Sequence, residues 1–413
     1  MSYELFISLR HLRSKKSAFI SVITVIAIVG IMVGVMALII VLSVMKGFEK
    51  DVRDKILGAN AHMVVSRLGG EIANYTKVVE ETEKVEGVVA ATPYIYNQVM
   101  LISQGTTTGV VLKGIDIKSI GRATMLPEKI KEGSIEGLAV SIKAEELPGI
   151  LVGRELANNL GVFLGESIDV LSPTGAPSPL GMIPQRSTFK IAGIFDYGMY
   201  EYDSSLAFIS LENAQAFFSM GDVATGVEVK VDEIYKTKEI GKRLIETLKD
   251  NMEGFYIIRD WMDLNRNLFS ALKLERIAMF IILALIILVA AFNIVATLIM
   301  VVMEKGKEIG ILISLGATRR SIMKIFMIEG IIIGVVGTIL GVLGGLTIDI
   351  ILKRYPIIEL PKDIYPVSTL PVEIDTATFI LVSIAALVIS FLATLYPSWQ
   401  ASRLDPVEIL RYE

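Results

Sequence analysis

Four stretches of this chain carry no charged residue: Ser17–Met45, Ile277–Met303, Gly330–Ile348 and Thr376–Ser402, with 29, 27, 19 and 27 residues. A helix rises ~1.5 Å per residue, so about 20 apolar residues cross a hydrocarbon core of ~30 Å, and each stretch is long enough. The first follows Arg10, Arg13, Lys15 and Lys16, as the core of a signal peptide would. Its apolar run is about twice the usual length of such a core, so it reads as an anchor.

Between the first and second stretches lie 231 residues, Lys46–Arg276, with the mixed composition of a water-exposed domain. Strand-like runs are His62–Ser66, Val110–Lys113, Ile168–Leu171, Phe189–Ile194, Ala207–Ile209 and Val227–Val231. Helical patterns fall at Arg154–Leu160, Leu211–Phe218 and Ile234–Lys249, the first bracketed by Gly153 and Gly161 as turn residues would be. The fold expected is therefore a membrane protein of four transmembrane helices, arranged one plus three, with a large mixed α/β domain between the first and second. Lys and Arg in the short flanks set the orientation: eleven lie at the two termini and in Glu304–Lys324, against three in Asp349–Asp375. By the positive-inside rule both termini are cytoplasmic and the large domain lies outside.

Much chemistry is excluded by what is missing. There is no cysteine, and the two histidines, His11 and His62, belong to no metal or triad motif. No phosphate loop and no nucleophile elbow occurs, and a net charge of −4 without a basic stripe gives no sign of nucleic-acid binding. The chain is not expected to be an enzyme by itself, nor to hold a cofactor or metal.

Several features leave two readings open. Phe48, Val52 and Ile56, then Trp261, Leu264, Leu268 and Leu272, repeat at helical spacing. They make either a stalk above the bilayer or faces that pack on the domain itself. Glycines 330, 334, 337, 341, 344 and 345, with Gly30 and Gly34, make smooth faces for close helix contact, within the chain or between subunits. Glu329 is read as interfacial, near headgroups, and Asn293 as hydrogen-bonded to a neighbouring helix rather than to an ion. The segment Met303–Arg320 reads as a short amphipathic helix with Ile309, Leu312 and Leu315 on one side, resting on lipid or docking on a cytoplasmic partner.

Two segments carry a family resemblance. Val302-Met-Glu-Lys through Glu308-Ile-Gly-Ile-Leu and Leu315-Gly-Ala is similar to the coupling region of FtsX/MacB-type ABC permeases. The tail Ala393-Thr-Leu-Tyr-Pro-Ser-Trp-Gln-Ala-Ser, followed by Asp405-Pro-Val-Glu-Ile-Leu-Arg, matches the C-terminus of that group. Within it, Val289-Ala-Ala-Phe-Asn-Ile-Val, Thr394-Leu-Tyr-Pro-Ser-Trp and Leu410-Arg-Tyr-Glu resemble the LolC/LolE-type lipoprotein-releasing permeases, the LolC type more closely.

The resemblance implies a division into a cytoplasmic N-terminus 1–16, spans at 17–45, 277–303, 325–348 and 376–398, and a periplasmic domain with stalk helices at 46–276. A cytoplasmic coupling segment takes 304–324, a periplasmic loop 349–375 and a cytoplasmic tail 399–413. It implies an inner-membrane permease that works with two copies of a LolD-like ATPase, which binds ATP and Mg, and with a second permease, identical or different. Triacylated lipoproteins would pass from the outer leaflet to a LolA-like carrier. An export or mechanotransmission permease, or an FtsX-like regulator of a cell-wall hydrolase, is the alternative.

The resemblance also assigns residues. Glu308, Ile309, Leu312, Leu315 and Gly316 would seat on the ATPase. The proline-rich segment Pro173–Pro184 resembles the hook that enters the carrier, with Pro173, Pro177, Pro179, Leu180, Met182, Ile183 and Pro184 in the hook and Gln185 and Arg186 as a pad. Four prolines are expected to keep it from continuing a sheet, so that it stands out as a stiff loop. Acyl chains need an apolar wall, expected at Val41, Met45, Phe48, Leu268, Phe269 and Leu272.

Overall fold

The computed structural model describes residues 3–12, 18–142, 145–178, 181–355 and 369–403. The main helices in chain order are α1 Tyr3–Leu12, α2 Ala18–Ala59, α3 Tyr75–Glu83, α4 Arg154–Leu160, α5 Leu211–Phe218, α6 Thr237–Asn251, α7 Arg266–Glu304, α8 Gly306–Ser314, α9 Arg319–Arg354 and α10 Thr376–Ala401. The strands are β1 Met63–Arg67, β2 Val88–Ser103, β3 Thr106–Ile115, β4 Ile130–Gly133, β5 Gly149–Gly153, β6 Ser167–Ser178, β7 Gly181–Phe195, β8 Leu206–Ser210, β9 Gly226–Val231 and β10 Tyr256–Asp260. Four helices, α2, α7, α9 and α10, are long and apolar enough to cross a bilayer. The described residues form two compact units, one of residues 50–270 and the other of the rest.

In the membrane unit, glycine decides which helices touch. A Cβ on Gly337, Gly341 or Gly345 of α9 would lie 2.8, 2.7 and 2.9 Å from Ile31, Val35 and Ile39 of α2, closer than side chains pack. One turn earlier the same helix meets α10, where a Cβ on Gly330 or Gly334 would lie 2.1 and 2.6 Å from Thr394 and Ser390. The glycine face is therefore used within the chain. By contrast α7 keeps most of its apolar surface open, with Phe280, Val289 and Phe292 72%, 67% and 64% exposed.

Two polar groups of the bundle bear on the expectations. Glu329 is fully buried inside it, because α9 turns that face toward the other helices. Asn293 stands against the bare backbone of Gly30, whose Cβ would be 3.2 Å from Nδ2, and its Oδ1 finds no hydrogen-bond partner among the described residues.

The α/β unit has two lobes that share β2. Antiparallel β10-β1-β9-β2 forms a sheet covered on one face by α3 and α6, with Met63, Val65, Val227, Val229, Ile240 and Leu244 between them. From Tyr94 onward β2 pairs with β3, and a ring then runs β2-β3-β8-β5-β7-β6 and back to β2 through Met100↔Leu171 and Ile102↔Asp169. A closed ring leaves no open edge, and its interior holds Ile95, Leu101, Leu112, Val152, Val170, Phe189 and Ile209 beside Leu156 of α4 and Phe217 of α5.

All six strands expected from sequence are present, four others were not foreseen, and Gly161 ends α4 in the left-handed region at φ +64. Pro93 had disguised β2: it pairs with Val227, ahead of Tyr94, where pairing with β3 begins, so one side of the strand there has no ladder to supply. The free stalk is also corrected. Val52 and Ile56 are 0% and 1% exposed within the α/β unit. Trp261 is 2% exposed, with its indole N–H donating to the Ile234 carbonyl at 3.2 Å. Val52, Ile56 and Trp261 thus pack on the domain itself, while Leu264 is 41% exposed.

Candidate functional site

The proline-rich segment is a ribbon. Strands β6 and β7 stay paired past the ring, through Leu171↔Arg186 and Ser172↔Gln185, and again at Ala176↔Ile183, Pro177↔Met182 and Ser178↔Gly181. This corrects the expectation that proline forbids a sheet there. Between Ser172 and Ala176 the register shifts, so Pro173 falls in a bulge with Pro184 opposite, both exposed. In a two-strand ribbon every second N–H faces solvent, and bulges release others, so prolines can be carried at such places. Pro179 and Leu180 lie outside the described residues. The backbones of Pro177, Met182 and Ile183 lie on the far half of the ribbon.

At the base of this arm Arg186 keeps its side chain 64% exposed. It forms an ion pair with Asp169, which also accepts from the Thr188 hydroxyl at 2.6 Å. Those two hydrogen bonds, Thr188 first, hold the Asp169 carboxyl below the usual aspartate range. A groove of ≈ 2110 Å³ runs along the base, and its charged lining is Glu145, Glu146, Glu166 and Asp169 against Arg186 and Lys190. Sequence reasoning missed the Glu145-Glu146 pair because nothing local joins it to the arm.

The coupling segment is helix α8, closed by Leu315-Gly-Ala-Thr318. Gly316 takes φ +99, its N–H donates to Ile313 at 3.0 Å, and the Ala317 N–H donates to Leu312 at 2.9 Å, the two bonds of a Schellman stop. Thr318 then caps α9 by accepting from the Ser321 N–H at 3.2 Å. The stripe is not one face, which corrects the expected contact set. Ile309 is 1% exposed, packed with Val301, Ile322, Ile325 and Phe326, and Leu312 packs at the edge of that cluster. The large apolar side chains exposed here are Ile311, 50%, and Leu315, 81%, with Gly316 beside them. Lys305 is buried and donates to Glu308 at 2.5 Å, so the charged frame is pinned to the helix.

The six expected lipid-wall residues are all half-buried. Val41, Met45, Phe48 and Leu272 belong to the membrane unit, Leu268 and Phe269 to the α/β unit. The Phe269 ring stands edge-on to Trp261 at 5.0 Å, so its surface is engaged in anchoring the root of α7.

Comparison with known proteins agrees with this architecture. Residues 280–406 match the model for the FtsX-like permease C-terminal, and residues 24–247 match the MacB-like periplasmic core domain. Helical bundle and α/β domain together define a membrane permease of the FtsX/MacB class. Along its whole length the chain is similar to lipoprotein-releasing system transmembrane protein LolC of Xylella fastidiosa (strain 9a5c), at 36% identity over 98% of each chain. It is likewise similar to LolC of Neisseria meningitidis serogroup B (strain MC58), at 35% identity over 100% of each, and to LolE of Haemophilus influenzae (strain KW20), at 28% over 99% of each. The chain belongs to the LolC/LolE family of lipoprotein-releasing system transmembrane proteins.

Proposed function

We propose that this chain is the permease subunit of an inner-membrane ABC complex that lifts triacylated lipoproteins from the outer leaflet and hands them to a LolA-like carrier. Two copies of a LolD-like ATPase supply ATP hydrolysis with Mg, and a second LolC/LolE-type permease completes the path. The observation that carries this reading is the unbroken likeness to LolC across the whole chain, 35–36% in two species. The arm and α8 give it parts. The arm is a paired ribbon, and the sequence of its segment includes the apolar Leu180, Met182 and Ile183, suited to a hydrophobic cavity. A segment held in its bound shape loses less entropy on docking.

In this reading Ile311, Leu315 and Gly316 meet the ATPase, with Glu308 framing the contact, and Ile309 and Leu312 hold α8 to the bundle. Acyl chains lie along the open apolar face of α7 and the half-buried Val41, Met45, Phe48 and Leu272. Both termini and α8 are cytoplasmic and the α/β domain periplasmic, which rests on the Lys and Arg distribution. Purification of the intact membrane complex with mass spectrometry tests the proposal. ATPase, second permease and acylated protein are expected together, with the carrier captured on addition. A bound cell-wall hydrolase without acylated protein would refute lipoprotein release.

A further inference from the structure

The contact between α2 and α9 advances one turn at a time. Gly337, Gly341 and Gly345 of α9 face Ile31, Val35 and Ile39 of α2, each without room for a Cβ. One further step of four residues on both helices brings Asp349 to Ser43, whose hydroxyl is a hydrogen-bonding neighbour of the Asp349 carboxyl. The glycine ladder therefore ends on a carboxyl group. Asp349 is 0% and Ser43 2% exposed. Apart from that mutual contact, neither carboxyl oxygen nor the hydroxyl has a hydrogen-bond partner among the described residues.

The charged groups at this end of the bundle are engaged elsewhere or exposed. Lys46, one turn on along α2, donates to Asp375 at 2.5 Å, and Asp375 also accepts from the Thr378 hydroxyl at 2.8 Å as it caps α10. Arg276 of α7 donates to Glu49 of α2 at 2.6 Å. Lys353 and Arg354, on the last turn of α9, are exposed. The segment before α10 crosses α2 here. The Glu373 N–H donates to the Ser43 carbonyl at 3.1 Å, and a Cβ on Gly47 would lie 2.4 Å from the Pro371 carbonyl oxygen. That segment brings only the acids Glu373 and Asp375, and α10 has no charge from Thr376 to Ala401.

An ionised carboxylate has about four lone-pair sites and, once buried, requires donors or a cation to offset its lost hydration. One serine hydroxyl supplies a single donor, and both carboxyl oxygens are closed to solvent. A neutral acid has one O–H to place, and the Ser43 oxygen accepts it. We propose that Asp349 is a proton-binding site: as a neutral acid it donates to Ser43 and seals this end of the α2–α9 contact, and loss of the proton opens it. The carboxylate then has to draw in water, which parts the two helices, or Lys46, which breaks the tie to α10. The site lies where α2 leaves the membrane unit, at Glu49, so the proton acts on the helix that continues into the α/β domain.

The test is infrared spectroscopy of the full-length protein in lipid nanodiscs, with aspartate isotope-labelled at its side-chain carboxyl carbon. The label separates Asp349 from the buried Glu329. Measurement somewhat above neutral pH removes Asp203, which burial raises to about 6. A protonated-carboxyl band with the aspartate isotope shift is expected, lost in Asp349→Asn and moved to higher frequency in Ser43→Ala, where the acceptor is gone. A proton bound only in the packed state makes that state weaken as pH rises. Further increase in pH should therefore bleach the band and lower the melting temperature of the wild type relative to Asp349→Asn. Where Asp349→Asn does not fold, the frequency shift in Ser43→Ala decides. No labelled band in the wild type, a band unchanged in both variants, or parallel melting profiles for wild type and Asp349→Asn would overturn the proposal.

Discussion

Asp203 shows how a single buried carboxylate is set by opposing forces. It is 3% exposed and accepts from the N–H groups of Tyr197, Gly198 and Met199 at 2.8, 3.0 and 3.1 Å, fixing the turn before the short helix Tyr200–Ser205. Burial outweighs those bonds and pushes its carboxyl up to about 6. A carboxyl raised on folding binds its proton more tightly in the native state, so its favourable contribution is complete below the unfolded value and fades as pH rises toward 6. Thermal melts between pH 4 and 7 should therefore show a fall of about 2–3 kcal/mol attributable to this group. Asp203→Asn should flatten that slope, yet lower stability throughout, because its amide nitrogen cannot accept from a backbone N–H.

Residues 309 and 315 make a second test at this scale, since they lie on one short helix and serve different ends. Ile309→Asp buries a charge inside the bundle and should cost several kcal/mol, read as loss of folded protein in detergent. Leu315→Asp alters an 81% exposed position and should leave folding intact. On the proposed function it should weaken ATPase association by about 2 kcal/mol or more, roughly thirtyfold, measured by pull-down and by stimulated hydrolysis. Unchanged association would place the coupling contact elsewhere.

Among the elements, the arm carries the clearest expectation. Its stiffness comes from pairing on both sides of the bulge, so it is a lever fixed to the closed ring through β6 and β7. Met182→Asp, or replacement of Gly175–Gly181 by a Gly-Ser tract, should abolish carrier capture in a crosslinking assay while basal ATP hydrolysis by the complex persists. Normal lipoprotein transfer by both variants would remove the arm from the mechanism. The four prolines were legible as a special segment, but not as a ribbon, because a single sequence does not show which N–H groups a sheet will leave unused. The helix stop at Leu315-Gly-Ala-Thr318 was visible as a pattern, and the structure shows the bonds that account for it.

For the whole molecule the open question is which side each part faces. On the proposed function the distribution of Lys and Arg, eleven against three, would put α8 in the cytoplasm and the α/β domain in the periplasm. Single cysteines can report this directly, since the chain has none of its own. Asp222→Cys should label from outside in spheroplasts and Leu315→Cys only after permeabilisation. External labelling of position 315 would invert the topology and with it the proposed function.

The candidate spans and the presence of a mixed α/β domain were legible in composition and local pattern, because a bilayer demands contiguous apolar residues. Family likeness was legible for the same reason, from short motifs near α8 and the C-terminus. What lay beyond the sequence was decided by contacts between distant residues. Closure of the six-strand ring through β2 and β6 was one, and burial of Glu329 on the inner face of α9 another. The split of Ile309 from Leu315 and the meeting of Asp349 with Ser43 beyond the glycine ladder were others. Side-chain periodicity says which face of an element is apolar. Only the packed fold says what that face meets, since burial and pairing depend on neighbours a hundred or more residues away.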